Sequence, residues 1–149
     1  DDDMFRALTN LHIKNSQVIV FICDLTNFDA SIKRTDELFL EAKQLLLSEN
    51  QLVPSCVIAL NKYDLLPHFS NPVQFRKQKK QFIEQVKEKL LWVDEYHVPV
   101  LVTSAKTTRE NIDELFREAA RQSRKTFFIQ LNAHMDSMLS AQKKNCTLQ

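Results

Sequence analysis

Three short runs of apolar residues mark the chain, and each run is continuous rather than alternating. They span residues 17–23, 55–60 and 98–103 and are rich in valine and isoleucine. Strands that are buried on both faces of a parallel sheet carry such runs, whereas a strand with one face in water alternates apolar and polar residues. The pattern therefore predicts three strands of a parallel sheet at these positions.

Between and after these runs, apolar residues recur every three or four positions, which is the spacing of one face of a helix. The second helical stretch opens with Asn71-Pro72, an N-cap followed by a first-turn proline. The third opens with T-T-R-E at residues 107–110, which fits a capping box. The positions predicted to face the core are Ile32, Thr35, Phe39, Ala42, Leu46, Phe75, Phe82, Ile83, Val86, Leu90, Ile112, Leu115, Phe116 and Ala119. Leu38 and Leu45 are expected to widen the apolar stripe of the first helix.

The resulting order of elements is strand, helix, strand, helix, strand, helix. This alternation predicts an α/β fold, with right-handed crossovers that place helices on the faces of a parallel sheet. The chain contains no internal repeat and no low-complexity linker. We therefore expect one domain over residues 1–142, followed by a basic tail at residues 143–149.

The last helix has no clear stop signal near residue 123. Phe127, Leu131, Met135 and Met138 continue a spacing of about four, so the helix is expected to extend past residue 138. Two interpretations of this long helix stay open. It packs along its own domain, or it presents an apolar face to a partner protein.

Composition narrows the classes of protein to which the chain can belong. Its 149 residues are 44% hydrophobic, which suits one globular domain, and its net charge of +1 gives no support for a nucleic-acid-binding protein. The longest uncharged apolar run is far shorter than the roughly 20 residues of a membrane span. The three cysteines are odd in number and have no metal-ligand spacing, which favours a reducing, cytoplasmic compartment.

Polar clusters follow two of the three predicted strands. Asn61-Lys62-Tyr63-Asp64 comes directly after the second apolar run, and Ser104-Ala105-Lys106 comes after the third. In open parallel sheets, ligands bind just beyond the carboxyl ends of the strands, where these two clusters would lie. A simpler interpretation is that Asn and Asp form turns there and that the lysines are solvated charges.

The two clusters have the form N-K-x-D and, some forty residues later, S-A-K. This ordered pair resembles the guanine-recognition motifs of the Ras-like, P-loop GTPase superfamily. The segment D-L-T-N at residues 24–27 is also similar to a sequence that is common in that family, where it follows the strand before N-K-x-D. The resemblance implies that the chain is the C-terminal half of a three-layer GTPase domain, with residues 1–6 within or just after the second switch segment.

For the first motif, the resemblance implies a role for each polar residue. Asp64 would accept hydrogen bonds from guanine N1–H and N2–H₂, which adenine does not offer. Asn61 would contact the base and tie its loop to the phosphate loop. The aliphatic stem of Lys62 would lie over the face of the purine.

For the second motif, the implied contacts are fewer. The backbone N–H of Ala105 would donate to guanine O6, and Ser104 would shape the turn. Lys106 would cover the other side of the base. The implied ligand is GTP or GDP.

The parts of such a GTPase that bind phosphate are missing from this sequence. The chain contains no glycine, so it has neither G-x-x-x-x-G-K-[ST] nor D-x-x-G, and Leu60 stands where family members often have glycine. Phosphoryl transfer depends on positioning the phosphates and on Mg²⁺. We therefore expect no GTP hydrolysis by this chain, and Mg²⁺ binding only together with a phosphate-binding half that it lacks.

Three functional interpretations follow. The chain is the base-recognising part of a GTPase switch that acts on a protein effector, or it is a degenerate pseudo-GTPase that serves as an interaction scaffold. The third is an unrelated α/β domain with chance motifs. In the family's strand order, the strand at 17–23 would pair with the P-loop strand, so the missing strands are expected either from further sequence of the same protein or from a partner chain.

The last residues add an expectation about membranes. If the chain ends at Gln149, Cys146-Thr147-Leu148-Gln149 matches a prenylation signal that follows Lys143 and Lys144. One prenyl chain with two lysines would associate only weakly with the cytoplasmic face of a membrane. Matches of four residues also arise by chance.

Overall fold

The computed structural model describes residues 2–66, 71–106 and 109–146, with side chains described over 7–66, 71–106 and 111–139. Short 3₁₀ turns at Leu25–Asn27 and Tyr63–Leu65 follow the first two strands. The elements are α1 (Asp2–Lys14), β1 (Val18–Asp24), α2 (Phe28–Ser48), β2 (Ser55–Asn61), α3 (Pro72–Lys89), α4 (Trp92–Glu95), β3 (Val100–Val102) and α5 (Arg109–Cys146).

The three strands form one parallel sheet in the order β1-β2-β3, so the predicted α/β fold is confirmed. The first two strands lie within one residue of their predicted bounds. The third strand is shorter than the predicted 98–103, because the first two of these residues do not donate hydrogen bonds to the sheet. The N–H of Val98 donates to Val93 O (2.8 Å) and not to the sheet. Pro99 has no N–H to give.

Helices α2, α3 and α4 cover one face of the sheet and enclose the larger core. On α2, the five buried side chains are all among those that the helical spacing predicts, Ile32, Thr35, Phe39, Ala42 and Leu46. Of the two residues expected to widen this stripe, Leu45 is half-buried and Leu38 is exposed. The ring of Phe39 stacks on Trp92 with centroids 3.9 Å apart. The indole N–H of Trp92 donates to Asp36 Oδ1 (2.8 Å), which ties α4 to α2.

Helix α5 covers the other face, where the core is smaller. Leu115 packs there with Val57 and Ala59 of β2. The prediction that Phe116 faces the core is wrong, because its side chain is 66% exposed on the outer side of α5. A single helix over this face leaves part of the sheet uncovered, and Ile22 of β1 is accordingly 69% exposed.

Within the described residues, β1 pairs with β2 alone, so the other edge of β1 carries no strand. A parallel-sheet edge with an exposed isoleucine is a surface on which another strand can add.

Two helices were not expected from the sequence. Helix α1 occupies the segment that the resemblance assigns to the end of the second switch, and it is joined to the end of α2 by the ion pair Lys14–Glu49 (2.7 Å). Helix α4 is a single turn. The predicted cap at Asn71 is confirmed, since its Oδ1 accepts from the backbone N–H groups of Val73 and Gln74. The predicted capping box at 107–110 begins outside the described residues.

Helix α5 continues 20 residues past Thr126, the last buried residue among its described side chains. All side chains from Phe127 to Leu139 are exposed. Burial against its own domain therefore ends at Thr126. Ile129 and Gln130, one turn further on, still border a cleft with Pro54, and the helix then projects from the domain. Residues 147–149 of the prenylation-type sequence lie outside the described residues. No described helix combines the length and apolar character needed to cross a membrane.

Candidate functional site

Parallel pairing brings the polar residues at the strand ends to one edge of the sheet. Asp24 lies level with Asn61 in the β1–β2 register. Pairing between β2 and β3 continues past the last strand residue, because the N–H of Thr103 donates to Leu60 O (2.7 Å). Asn61 therefore lies level with Thr103, and the second predicted cluster begins one residue further on, at Ser104.

The side chain of Asn61 joins the two clusters. Its Oδ1 accepts from the backbone N–H of Ala105 (3.1 Å) and from the hydroxyl of Thr103 (3.4 Å). The Ala105 N–H was expected to donate to guanine O6; in this structure it donates to Asn61. The amide of Asn61 thus holds the S-A-K loop against the N-K-x-D loop.

A second bond between the clusters fixes Asp64. The hydroxyl of Ser104 donates to Asp64 Oδ1 at 2.6 Å, and the Ser104 side chain is fully buried. The same hydroxyl accepts from the backbone N–H of Lys106 (3.2 Å), which folds the turn back on itself. Lys106 is exposed. Asp64 is half-buried and is therefore held in one orientation at the edge of the sheet.

Lys62 lies between the two strand ends on a left-handed backbone, with φ of 67°. Its ammonium donates to Asp24 Oδ2 at 2.5 Å. The other oxygen of Asp24 accepts from the backbone N–H and the hydroxyl of Thr26 (2.9 and 2.7 Å). The bond from Lys62, followed by those from Thr26, lowers the pKa of Asp24 to about 2. Lys62, expected over a purine face, is anchored here by its charge.

Tyr63, the variable position of N-K-x-D, points into the core and anchors the turn. Its ring is buried and lies 5.0 Å from that of Phe75, centroid to centroid. Its hydroxyl accepts from the side-chain amide of Asn111 at the start of α5 (3.3 Å). The residues on either side of Tyr63 are therefore directed outward at the strand end.

Neither Asp24 nor Thr103 was predicted to be a site residue. Asp24 belongs to the D-L-T-N segment, and its role follows from strand register, which a single sequence does not reveal. Thr103 ends the third apolar run and was predicted to belong to a strand. Both support the predicted residues without belonging to either motif.

The cluster presents hydrogen-bond acceptors that a ligand could use. A carboxylate offers about four acceptor positions on two oxygens, so the bond from Ser104 leaves Asp64 able to accept others. Burial raises the pKa of the Cys23 thiol, and it raises that of Cys56 to about 12, so neither is a thiolate nucleophile at neutral pH. Over the described residues, no group of three or more His, Cys, Asp or Glu side chains could hold a metal ion.

No protein-family model matches the chain, and no curated protein matches it significantly. Its chemistry therefore has to be inferred from the site itself.

Proposed function

We propose that the cluster at the strand ends recognises a guanine base, and that the chain is the GTP- or GDP-binding portion of a protein similar to the P-loop GTPases. Asp64 reads the N1–H and N2–H₂ edge of the base. Asn61, Ala105, Lys62 and Lys106 form its surroundings. The substrate class is a guanine nucleotide.

The observation that carries this proposal is the bond from the buried Ser104 hydroxyl to Asp64 Oδ1 (2.6 Å). It fixes a carboxylate before any ligand arrives, so little side-chain entropy has to be lost on binding. A fixed carboxylate discriminates strongly, because a base without two adjacent N–H donors leaves it desolvated and unpaired. Guanine has that donor pair and adenine does not.

The phosphates and Mg²⁺ are assigned to structure outside this chain. Backbone that wraps closely around phosphate usually needs glycine, and the chain has none. The strand-free edge of β1 supports the addition of a strand from such a structure, either from a longer form of this protein or from a partner chain. This chain alone supplies the part of the site that identifies the base.

The first test uses nucleosides, because they carry the base without phosphates. We expect guanosine to bind the chain with a Kd of about 1 mM and adenosine to bind at least about tenfold more weakly, measured by NMR titration. In Asp64→Asn, guanosine should bind at least about tenfold more weakly. Xanthosine should bind better than to the wild type, since its C2 carbonyl suits an amide.

Asp136→Asn is the matched control, because it makes the same chemical change at an exposed position on the projecting part of α5. It should leave all three affinities unchanged. An unaltered preference for guanosine over xanthosine in Asp64→Asn would rule out the assignment of this residue as the reader of the base.

A second candidate function is that of an interaction scaffold, in which the fold is a degenerate GTPase that no longer cycles. The exposed 127–139 segment of α5 favours it. The two candidates differ in nucleotide binding, which a pure scaffold would have lost.

For either function, the chain itself should not hydrolyse GTP. Phosphoryl transfer needs phosphate-positioning groups that a glycine-free chain of this sequence does not supply. We expect phosphate release at the rate of a buffer blank with Mg²⁺ present. Turnover that co-purifies with the chain and disappears in Asp64→Asn would contradict this expectation.

A further inference from the structure

Over residues 127–139, the projecting part of α5 carries seven large apolar side chains, each between 41% and 60% exposed. Six of the seven share one side of the helix, and we call these the outer stripe: Phe127, Phe128, Leu131, Met135, Met138 and Leu139. The seventh, Ile129, lies outside that arc.

The outer stripe occupies one side of the helix. At about 100° per residue, its six members fall within an arc of about 120°. The buried residues of α5, which include Leu115, Ala119 and Thr126, point to the opposite side. Any helix that docks on the outer stripe can therefore continue along the outer side of α5 without meeting the domain.

The stripe is symmetric about Ala133. Phe128 and Met138 lie five residues to either side of it, Leu131 and Met135 two, and Phe127 and Leu139 six. The spacing 128, 131, 135, 138 is also that of a coiled-coil seam. We propose that the outer stripe is the contact of a homodimer, in which two copies of α5 pack antiparallel around a twofold axis at the level of Ala133.

In this arrangement each side chain meets one that complements it. A twofold contact requires that if one residue touches a second, the second touches the first in return. Around Ala133, Phe128 of one copy lies opposite Met138 of the other, and Leu131 lies opposite Met135. The twofold axis repeats each of these two pairings, so the seam has four layers. In two of them an aromatic ring meets a thioether, which is a favourable contact.

Charge selects the antiparallel orientation over the parallel one. Arg124 and Arg121 continue the seam toward the domain. In a parallel pair each arginine would oppose its own copy, and like charges across a seam are repulsive. In the antiparallel pair, Arg124 lies level with Gln142 and Arg121 with Asn145, which are uncharged.

The exposed area fits a reversible dimer. A side chain of this size that is half exposed presents about 100 Å², so the twelve side chains of two copies present about 1,200 Å². Stable specific interfaces bury about 1,200–2,000 Å² in total, and weaker ones bury less. The outer stripe therefore suits a dimer that forms at micromolar to millimolar concentrations.

Sedimentation equilibrium of the full chain between 5 µM and 1 mM tests the proposal. We expect concentration-dependent dimers, and Leu131→Glu should weaken dimerisation at least about tenfold by placing two carboxylates in the central layers. Ala133→Glu adds the same charge at nearly the same level but on the opposite side of the helix, and should dimerise like the wild type. Since both positions are exposed, circular dichroism should show unchanged folding.

The distance between nitroxide labels on the two copies gives the orientation of the dimer. The label is attached to Lys125→Cys in a chain that also carries Cys146→Ser, and Cys23 and Cys56 are buried. An antiparallel dimer separates the two labelled backbone sites by about 24 Å along the axis, since 1.5 Å per residue applies over sixteen positions. A parallel dimer would place them side by side. A short distance would overturn the proposal.

Three other outcomes would also overturn it. One is a chain that stays monomeric at 1 mM. Another is a dimer that Leu131→Glu leaves unchanged, which would indicate a different contact such as the edge of β1. The third is a monomer that cosediments with phosphatidylserine vesicles through Leu131, because the stripe would then bind lipid and not a second copy.

Discussion

Asp24 and Lys62 form an ion pair across the mouth of the sheet, and neither residue can be understood alone. Lys62 has a left-handed backbone that costs a non-glycine residue about 1–2 kcal/mol. That conformation brings its ammonium over the end of β1, 2.5 Å from Asp24. The pair thus links the ends of two strands that carry the candidate site.

The pair predicts how stability changes in acid. The pKa of Asp24 is about 2 in the folded protein against an ordinary value of 3.8, so its contribution is fully present above about pH 4 and is lost as pH falls toward 2. We expect Asp24→Asn to flatten the fall of the urea midpoint between pH 4 and pH 2.

Lys62→Met should act in the same direction and raise the pKa of Asp24 toward its ordinary value, which carboxyl NMR can follow. A carboxyl pKa near 2 in Lys62→Met would show that Lys62 is not the main cause. Added salt should reduce the effect, since both side chains are partly exposed.

The absence of glycine also has a cost at the scale of single residues. Asn50, Lys62 and His97 all have positive φ, and they follow α2, β2 and α4 where glycine is the usual choice. From the absence of glycine one could predict that residues other than glycine would occupy the positions with positive φ. One could not predict which residues, because φ depends on the packing of the elements on either side.

Among the elements, α5 depends on one buried contact where it leaves the domain. The hydroxyl of Thr126 accepts from the Ser55 N–H (2.9 Å) and donates to the Ser55 hydroxyl (2.8 Å). These bonds join the last buried turn of the helix to the start of β2.

Thr126→Val should therefore destabilise the fold by about 1–3 kcal/mol, because it leaves the part-buried N–H of Ser55 without its acceptor. Urea unfolding measures the change. Ser123→Ala, one turn earlier, removes an exposed bond to Gln17 and should change stability by less than about 0.5 kcal/mol. Equal effects of the two variants would argue against Thr126 as the anchor.

How well each element could be predicted followed from how its side chains are distributed. The five buried positions of α2 have strict helical spacing and a complete apolar face, so the sequence identified all of them. In α5 the same spacing failed at Phe116, because an apolar residue can belong to the outer side as readily as to the core. Spacing shows that a face is apolar; it does not show what covers that face.

For the candidate site as well, the sequence indicated individual residues but not how they are arranged in space. Asn61, Asp64 and Ser104 could be named because they follow buried strands. Their mutual hydrogen bonds depend on the order of strands in space, and sequence order happens to equal that order here. Asp24 was missed because only the strand register brings it level with Asn61.

At the scale of the whole molecule, the described part of the chain forms a sheet whose two edge strands, β1 and β3, each pair with β2 alone. The outer edge of β1 presents backbone N–H and C=O groups that pair with no described strand, and the apolar Ile22 is exposed beside it because α5 covers only part of this face. Such edges promote association between sheets when nothing pairs with them.

We expect Ile22→Lys to raise the protein concentration at which the chain aggregates on warming, as followed by light scattering. Its unfolding free energy should change by less than about 0.5 kcal/mol, because the side chain is mostly exposed. Leu47→Lys makes a comparable change on α2, away from the edge, and should have a smaller effect on aggregation. Equal protection by both variants would show that added charge, and not the edge, is responsible.

The projecting part of α5 also governs how the molecule moves in water. Twenty residues beyond Thr126 extend about 30 Å, roughly twice the radius of gyration of about 15 Å expected for a compact chain of this length. The protein should therefore tumble as an elongated body, slowly end over end and faster about the helix axis. Amide vectors along α5 would then show longer rotational correlation times in ¹⁵N relaxation than vectors at right angles to it.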